Sequence, residues 1–150
     1  MVDMNRYARH VSLPDVGREG QELINNSRIL VVGAGGLGSP VLLYLAAAGV
    51  GEIGVIDDDL VDLSNLQRQI IHAESDVGSS KVDSAKGQIL SINSTIKVTT
   101  WNTRLSPDNA QEILKGWDVV VDGTDNIPVS YTHLRAHETR GNLVCRLLLE

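Results

Sequence analysis

A loop of four glycines and a distant carboxylate carry the first chemical signal in this sequence. Gly33-Ala-Gly-Gly-Leu-Gly38 places Gly33, Gly35 and Gly38 in the pattern G-x-G-x-x-G, with Gly36 inside the same loop. In such a loop the first glycine permits a sharp turn and the second lets backbone approach a phosphate with no Cβ in the way. The third lets a strand and the following helix pack closely. Amides at the start of that helix then face the anion. Asp57 stands about 20 residues beyond the last glycine, where a carboxylate accepts hydrogen bonds from ribose hydroxyls. It would repel a 2′-phosphate, which disfavours NADP and leaves NAD, FAD and ATP open. A glycine-rich turn that binds nothing is the alternative; the strand before, the helix after and Asp57 weigh against it. Asp58 and Asp59 read as solvent-facing or helix-capping groups.

A second set of residues bears on which nucleotide fits. Asp62-Leu-Ser-Asn-Leu-Gln-Arg-Gln-Ile70 presents Ser64, Asn65, Gln67, Arg68 and Gln69 near the expected ligand, and Lys81 begins a later helix. A dinucleotide needs little beyond helix amides, whereas a triphosphate that releases pyrophosphate needs cationic side chains where charge builds. Arg68 and Lys81 can supply them. Taken singly, Arg68 reads as a surface ion-pair partner and Lys81 as a solvated lysine at a helix start. Asp122-Gly-Thr-Asp-Asn126 places Asp125 and Asn126 at the carboxyl edge of a strand, where open α/β folds bind ligands. A carboxylate there suits magnesium, which takes one or two carboxylates with phosphate oxygens and water; an ordinary Asp/Gly/Asn turn is the alternative.

These groups require a scaffold of buried strands alternating with helices. Arg28–Val32 is an apolar, β-branched run of the kind found where both faces of a parallel strand are covered. The glycine loop leads into an Ala/Leu-rich helix over 39–48, stopped by Gly49, and then a strand over 53–56 that ends at Asp57. A polar stretch over 60–80 precedes a helix over 81–92, a strand over 96–101, a helix over 107–115 and a strand over 118–121. Ahead of this lie two amphipathic segments, 4–13 and 15–25, the second with Asp15 as its expected N-cap. The expected class is α/β: a Rossmann-like, doubly wound, mainly parallel sheet with two N-terminal helices.

Composition narrows the partners. The 150 residues include 13 Lys+Arg against 19 Asp+Glu, a net charge of -6, with a pI near 5.1. Scattered basic residues in an acidic chain give no footprint for nucleic acid or an anionic membrane. One cysteine excludes an intrachain disulfide and any CxxC pair, and the longest apolar stretch is too short to span a bilayer, so a cytoplasmic location is expected.

Arg6-Tyr-Ala-Arg-His10, Ser27 through Gly38, Ala48-Gly-Val-Gly51, Ile56-Asp-Asp-Asp59, Leu63-Ser-Asn-Leu-Gln-Arg-Gln69, Val77-Gly-Ser-Ser-Lys81 and Thr124-Asp-Asn126 together resemble the ThiF/MoeB/HesA family. These are the molybdopterin-synthase and thiazole-biosynthesis adenylyltransferases, relatives of ubiquitin-activating enzymes. The resemblance runs from about Asn5 to Val129. It implies adenylylation of the C-terminal glycine carboxylate of a ubiquitin-like sulfur-carrier protein, using ATP and Mg2+. Carried over by position, Gly36 would lie in the phosphate loop, Asp57 at the ribose, and Asn65, Arg68 and Lys81 around the phosphates. Asp125 would bind magnesium. Arg9 matches an arginine inserted into the neighbouring subunit's active site, which implies a homodimer; read alone, Arg9 is a helix-face charge.

The resemblance stops after Val129. Residues 1–129 are expected to be the N-terminal part of an ATP-binding adenylyltransferase domain, and 130–150 a tail outside the fold. The family's paired CxxC zinc ligands are missing from this chain, and Cys145 inherits no sulfur-transfer role. His133 and His137, spaced i, i+4, lack a third ligand, and His72, Trp101 and Trp117 read as packing residues. The chain is therefore expected to be incomplete and inactive alone, with a sheet edge exposed after its fourth strand. Two other classes stay open. An NAD-dependent oxidoreductase would use the glycine loop and Asp57 but leave Arg68 and Lys81 idle, and a noncatalytic partner subunit would keep the fold and dimerise.

Overall fold

The structure is a computed structural model that describes residues 3–124 and 143–146. Five strands form one parallel sheet in the order β3-β2-β1-β4-β5. They are β1 (Arg28–Val32), β2 (Glu52–Ile56), β3 (Lys97–Trp101), β4 (Val119–Asp122) and β5 (Leu143–Arg146). From β1 the chain winds outward to β2 and β3, then crosses back to place β4 on the other side of β1. That reversal is a topological switch point, which opens a crevice at the carboxyl ends of β1 and β4.

The strands are apolar on both faces because helices cover both. On one side α3 (Gly38–Ala48) and α4 (Lys81–Ile92) pack on Val31, Ile53 and Val55. On the other, α5 (Pro107–Ile113) and Trp117 pack on Leu30, Val32, Ile56 and Val120. Trp101 meets Trp117 edge-on at 6.1 Å between centroids, the packing role expected of both. Each aliphatic side chain buried this completely contributes about 1.5–3 kcal/mol, and these layers fix the strand ends that carry the site.

The N-terminal segment departs from the periodicity. In place of one helix over 4–13, turns lead into a single helical turn, α1 (Ala8–Val11). The Asp3 carboxylate takes the Asn5 amide at 3.0 Å, a local bond that competes with helix initiation. Asp15 does not cap the next helix. Val16 and Gly17 both donate to the Leu13 carbonyl in a tight turn, and α2 starts later, spanning Gly17–Asn26. Tyr7 anchors this region: it is 4% exposed, and its hydroxyl accepts a 2.9 Å hydrogen bond from buried Asn93.

Beyond β4 the sheet continues. Val119–Asp122 pairs in parallel register with Leu143–Arg146, so β4 is an interior strand and the edge expected there is occupied. This stretch comes from the tail that the sequence set apart. Its apolar run, Leu143-Val-Cys, is of a type that fits a strand added to β4. Among the described residues no helix is long and apolar enough to cross a membrane.

Candidate functional site

A cleft of about 480 Å³ opens at the carboxyl ends of β1, β2 and β4. Its floor is the loop after β1, with Gly33, Gly35 and Gly36 on its surface. The glycines divide by cause. Gly33 has φ +93°, and a Cβ on Gly38 would lie 1.8 Å from the Gly33 carbonyl oxygen, so these two are glycine because the turn and the helix contact demand it. A Cβ on Gly35 would meet nothing nearer than 3.8 Å, and one on Gly36 nothing nearer than 3.5 Å. No protein packing requires glycine at either, whereas close approach of a ligand would. Their amides and that of Leu37 have no acceptor among the described residues, which leaves three N–H donors at the start of α3 for an anion.

Asp57 ends β2 beside this loop. One carboxylate oxygen accepts the Ala34 amide at 2.8 Å and the other the Asp59 amide at 2.9 Å. Each oxygen keeps a lone pair, so the carboxylate shapes the loop and still has capacity for ribose hydroxyls. Asp59 is not simply solvent-facing. Its carboxylate holds the Lys81 ammonium at 2.7 Å, with the Lys81 side chain 5% exposed and that of Asp59 65% exposed. Lys81 is therefore a buried cation in the cleft wall rather than a solvated lysine. It is set there because Ser80 caps α4 by accepting the Asp83 amide at 3.2 Å.

Arg68 also lines the cleft; it is exposed and lies over the loop, with its Cγ 3.5 Å from where a Gly36 Cβ would sit. Its guanidinium donates to the Asn65 Oδ1 at 3.1 Å. Gln69 is buried at the cleft, and its Oε1 has no hydrogen-bond partner. Gly33, Gly35, Gly36, Asp57, Asn65, Arg68, Gln69 and Lys81 are thus brought together, and Gly38 supports them from α3. Ser64 is not among the lining residues: its amide and hydroxyl donate to Asp62, whose carboxyl they hold below the usual carboxylate range. Arg9 is exposed on α1, outside the lining, and its side chain has no hydrogen bond or ion pair among the described residues. Asp125, Asn126, His133 and His137 lie outside the described residues.

Sequence reasoning missed two features. Thr103, Arg104 and Leu105 line the far side of the cleft, beyond the end of β3. Asn109 of α5 fixes that turn by donating to the Arg104 carbonyl at 2.9 Å. Their place just after a strand's carboxyl end was the available signal. The second is His72, which is more than packing: both ring nitrogens are engaged, Nε2 with the Ala34 carbonyl at 2.9 Å and Nδ1 with the Ser84 hydroxyl at 2.8 Å. Burial holds this imidazole below its ordinary pKa, and the Lys81 charge adds to that against the opposing Ala34 bond. No motif spacing signals such a contact.

Residues 7–144 match the ThiF family. A probable adenylyltransferase/sulfurtransferase of Mycobacterium tuberculosis (strain CDC 1551 / Oshkosh), MoeZ, is 54% identical over 129 residues, covering 86% of this chain and 33% of that protein. A probable molybdopterin-synthase adenylyltransferase of Porphyra purpurea is 52% identical over 131 residues, covering 87% of this chain and 34% of the other. The chain thus spans about a third of the length of these relatives. Among solved structures, the E. coli tRNA N6-threonylcarbamoyladenosine dehydratase TcdA in complex with ATP superposes with a TM-score of 0.82 at 28% identity. The match covers 95% of this chain and 58% of that one.

Proposed function

Because the chain belongs to the ThiF family, we propose that its cleft binds Mg-ATP as the nucleotide half of an adenylyltransferase acting on a ubiquitin-like sulfur-carrier protein. The observation that carries this is the pairing of three amides at Gly35, Gly36 and Leu37, without acceptors among the described residues, with two cationic side chains, Arg68 and Lys81, in one cleft. Amides alone suffice for a bridging pyrophosphate; the added cations suit a leaving pyrophosphate, on which charge accumulates as the bond to the α-phosphorus breaks. In this reading the carrier's terminal carboxylate attacks the α-phosphorus, an acyl adenylate forms and pyrophosphate leaves. The nucleophile is already an anion, so no general base is required, and rate enhancement comes from positioning and electrostatics.

Asp57 would accept the ribose hydroxyls, with Asn65, Gln69 and Asn126 completing the nucleotide's surroundings. Arg68 and Lys81 would hold the phosphates, Lys81 exchanging Asp59 for phosphate oxygens. Carboxylate oxygens are the donors that magnesium favours, and Asp125 is proposed as the protein ligand alongside phosphate oxygens. The exposed guanidinium of Arg9, without a partner among the described residues, supports its delivery into a neighbouring subunit's cleft, which makes the active species a homodimer. Residues 1–129 are proposed as the working segment. The carrier-docking surface would be contributed outside them, so the chain alone binds ATP without completing adenylylation.

A chimera tests this reading: residues 1–129 replace the matching segment of the Mycobacterium relative, and carrier-dependent exchange of pyrophosphate into ATP is measured. Exchange that disappears in Lys81→Met is expected. A folded chimera that binds carrier but exchanges nothing overturns the proposal.

A further inference from the structure

Ala34, at the apex of the glycine loop, is held from both sides. Its amide donates to Asp57 at 2.8 Å, and its carbonyl meets the His72 Nε2 at 2.9 Å. A carbonyl has no proton to give, so Nε2 carries the hydrogen and donates it. The peptide bond between Ala34 and Gly35 is trans, so the Ala34 carbonyl and the Gly35 N–H point in opposite directions along one planar unit. The ring that fixes the carbonyl therefore fixes the direction of the Gly35 N–H, one of the three amides without an acceptor.

The other face of the ring is tied to α4, the helix that begins with Lys81. Nδ1 contacts the Ser84 hydroxyl at 2.8 Å, and that hydroxyl donates to an Asp76 carboxylate oxygen at 2.8 Å, which also accepts the Ala73 amide at 3.0 Å. His72 is 7% exposed, so leaving the Ala34 carbonyl without this donor is costly. The imidazole thus bridges the two halves of the phosphate site, the amides of the loop and the ammonium on α4.

We propose that His72 is a positioning residue for phosphate binding: its Nε2–H aims the Gly35 amide, and its Nδ1 keeps the glycine loop in register with the helix that carries Lys81. The proposal rests on the nucleotide reading of the cleft. Replacement by Gln retains a donor at nearly the Nε2 position, while replacement by Leu removes it and keeps the site apolar and filled.

Three measurements on the full chain decide it. Imidazole ¹⁵N shifts of the wild type are expected to show hydrogen on Nε2 at neutral pH; a ring without hydrogen on Nε2 overturns the proposal whatever the variants do. In the free protein, the Gly35 amide resonance is expected to move in His72→Leu and to stay near its wild-type position in His72→Gln. Calorimetric titration with Mg-ATP is expected to show affinity weakened roughly 10-fold or more in His72→Leu and within about 3-fold of wild type in His72→Gln. Equal losses in both variants, or none in His72→Leu, overturn it. A wild-type chain that binds no Mg-ATP defeats the nucleotide reading instead, and the Gly35 resonance then still shows whether the ring orients the loop.

Discussion

Two alanine substitutions three residues apart in the same loop should fail in opposite ways. In Gly38→Ala the new Cβ would sit 1.8 Å from the Gly33 oxygen and 2.9 Å from its carbon. Backbone must move by about 1 Å or more to relieve this in a close-packed interior. Overpacking of this kind costs about 1–3 kcal/mol, against which alanine's helix preference returns at most about 1 kcal/mol. A net loss of about 1–2 kcal/mol lowers the midpoint of a chain this size by roughly 2–8 °C. In Gly35→Ala the nearest atom is 3.8 Å from the new Cβ and φ is not in the left-handed region, so the folded state accepts the methyl. Stability should hold or rise by up to about 1 kcal/mol through the less flexible unfolded chain. The methyl stands where a phosphate must approach, and losing one charge-assisted amide bond, worth about 1.5–3 kcal/mol, weakens Mg-ATP binding roughly 10- to 100-fold. Thermal unfolding with and without Mg-ATP reads both effects in one assay. A Gly35→Ala chain as destabilised as Gly38→Ala, or one stabilised by Mg-ATP as well as the wild type, would refute the division of the glycines by cause.

Tyr7→Phe should cost about 1–2 kcal/mol in urea denaturation, because the Asn93 Nδ2 donor is buried and would keep only a 3.3 Å contact with the Ala46 carbonyl. Stability should also fall with pH below about 6.5: burial keeps His72 unprotonated in the folded chain while the unfolded chain takes up the proton, so acid favours unfolding. The contribution approaches about 1.4 kcal/mol per pH unit until the lowered folded pKa is reached, and His72→Gln should flatten the profile in that window. For Arg9, the chimera carrying Arg9→Ala and the one carrying Lys81→Met should each lack exchange. Random mixing of the two should restore about a quarter of wild-type activity if Arg9 acts across a dimer, and none if it acts within its own chain.

The strands and the glycine loop were legible because their signals are local. Arg28–Val32 and Lys81–Ile92 are elements whose apolar content lies within the segment or whose capping serine, Ser80, directly precedes it. Helix starts governed by tertiary turns were not: nothing at Asp15 foretells that Gly17 would bond back to Leu13 and begin α2 there. Within the site, Asp57, Arg68 and Lys81 could be picked out by residue type and spacing. The Asp59–Lys81 ion pair and the His72–Ala34 bond join residues 22 and 38 positions apart and depend on how α4 and the 60–80 stretch dock. Arg104 escaped notice because its loop follows a strand with no motif of its own, and only the sheet order shows that this strand end faces the same cleft.

The central claim, that this cleft is built for a triphosphate, is tested most directly by calorimetric titration of the chain with Mg-ATP and separately with NAD, repeated in Arg68→Ala. Binding of Mg-ATP that is weakened in the variant, with NAD bound weakly in both, is the predicted result. Tight binding of NAD that is indifferent to Arg68, with no heat from Mg-ATP, would contradict it.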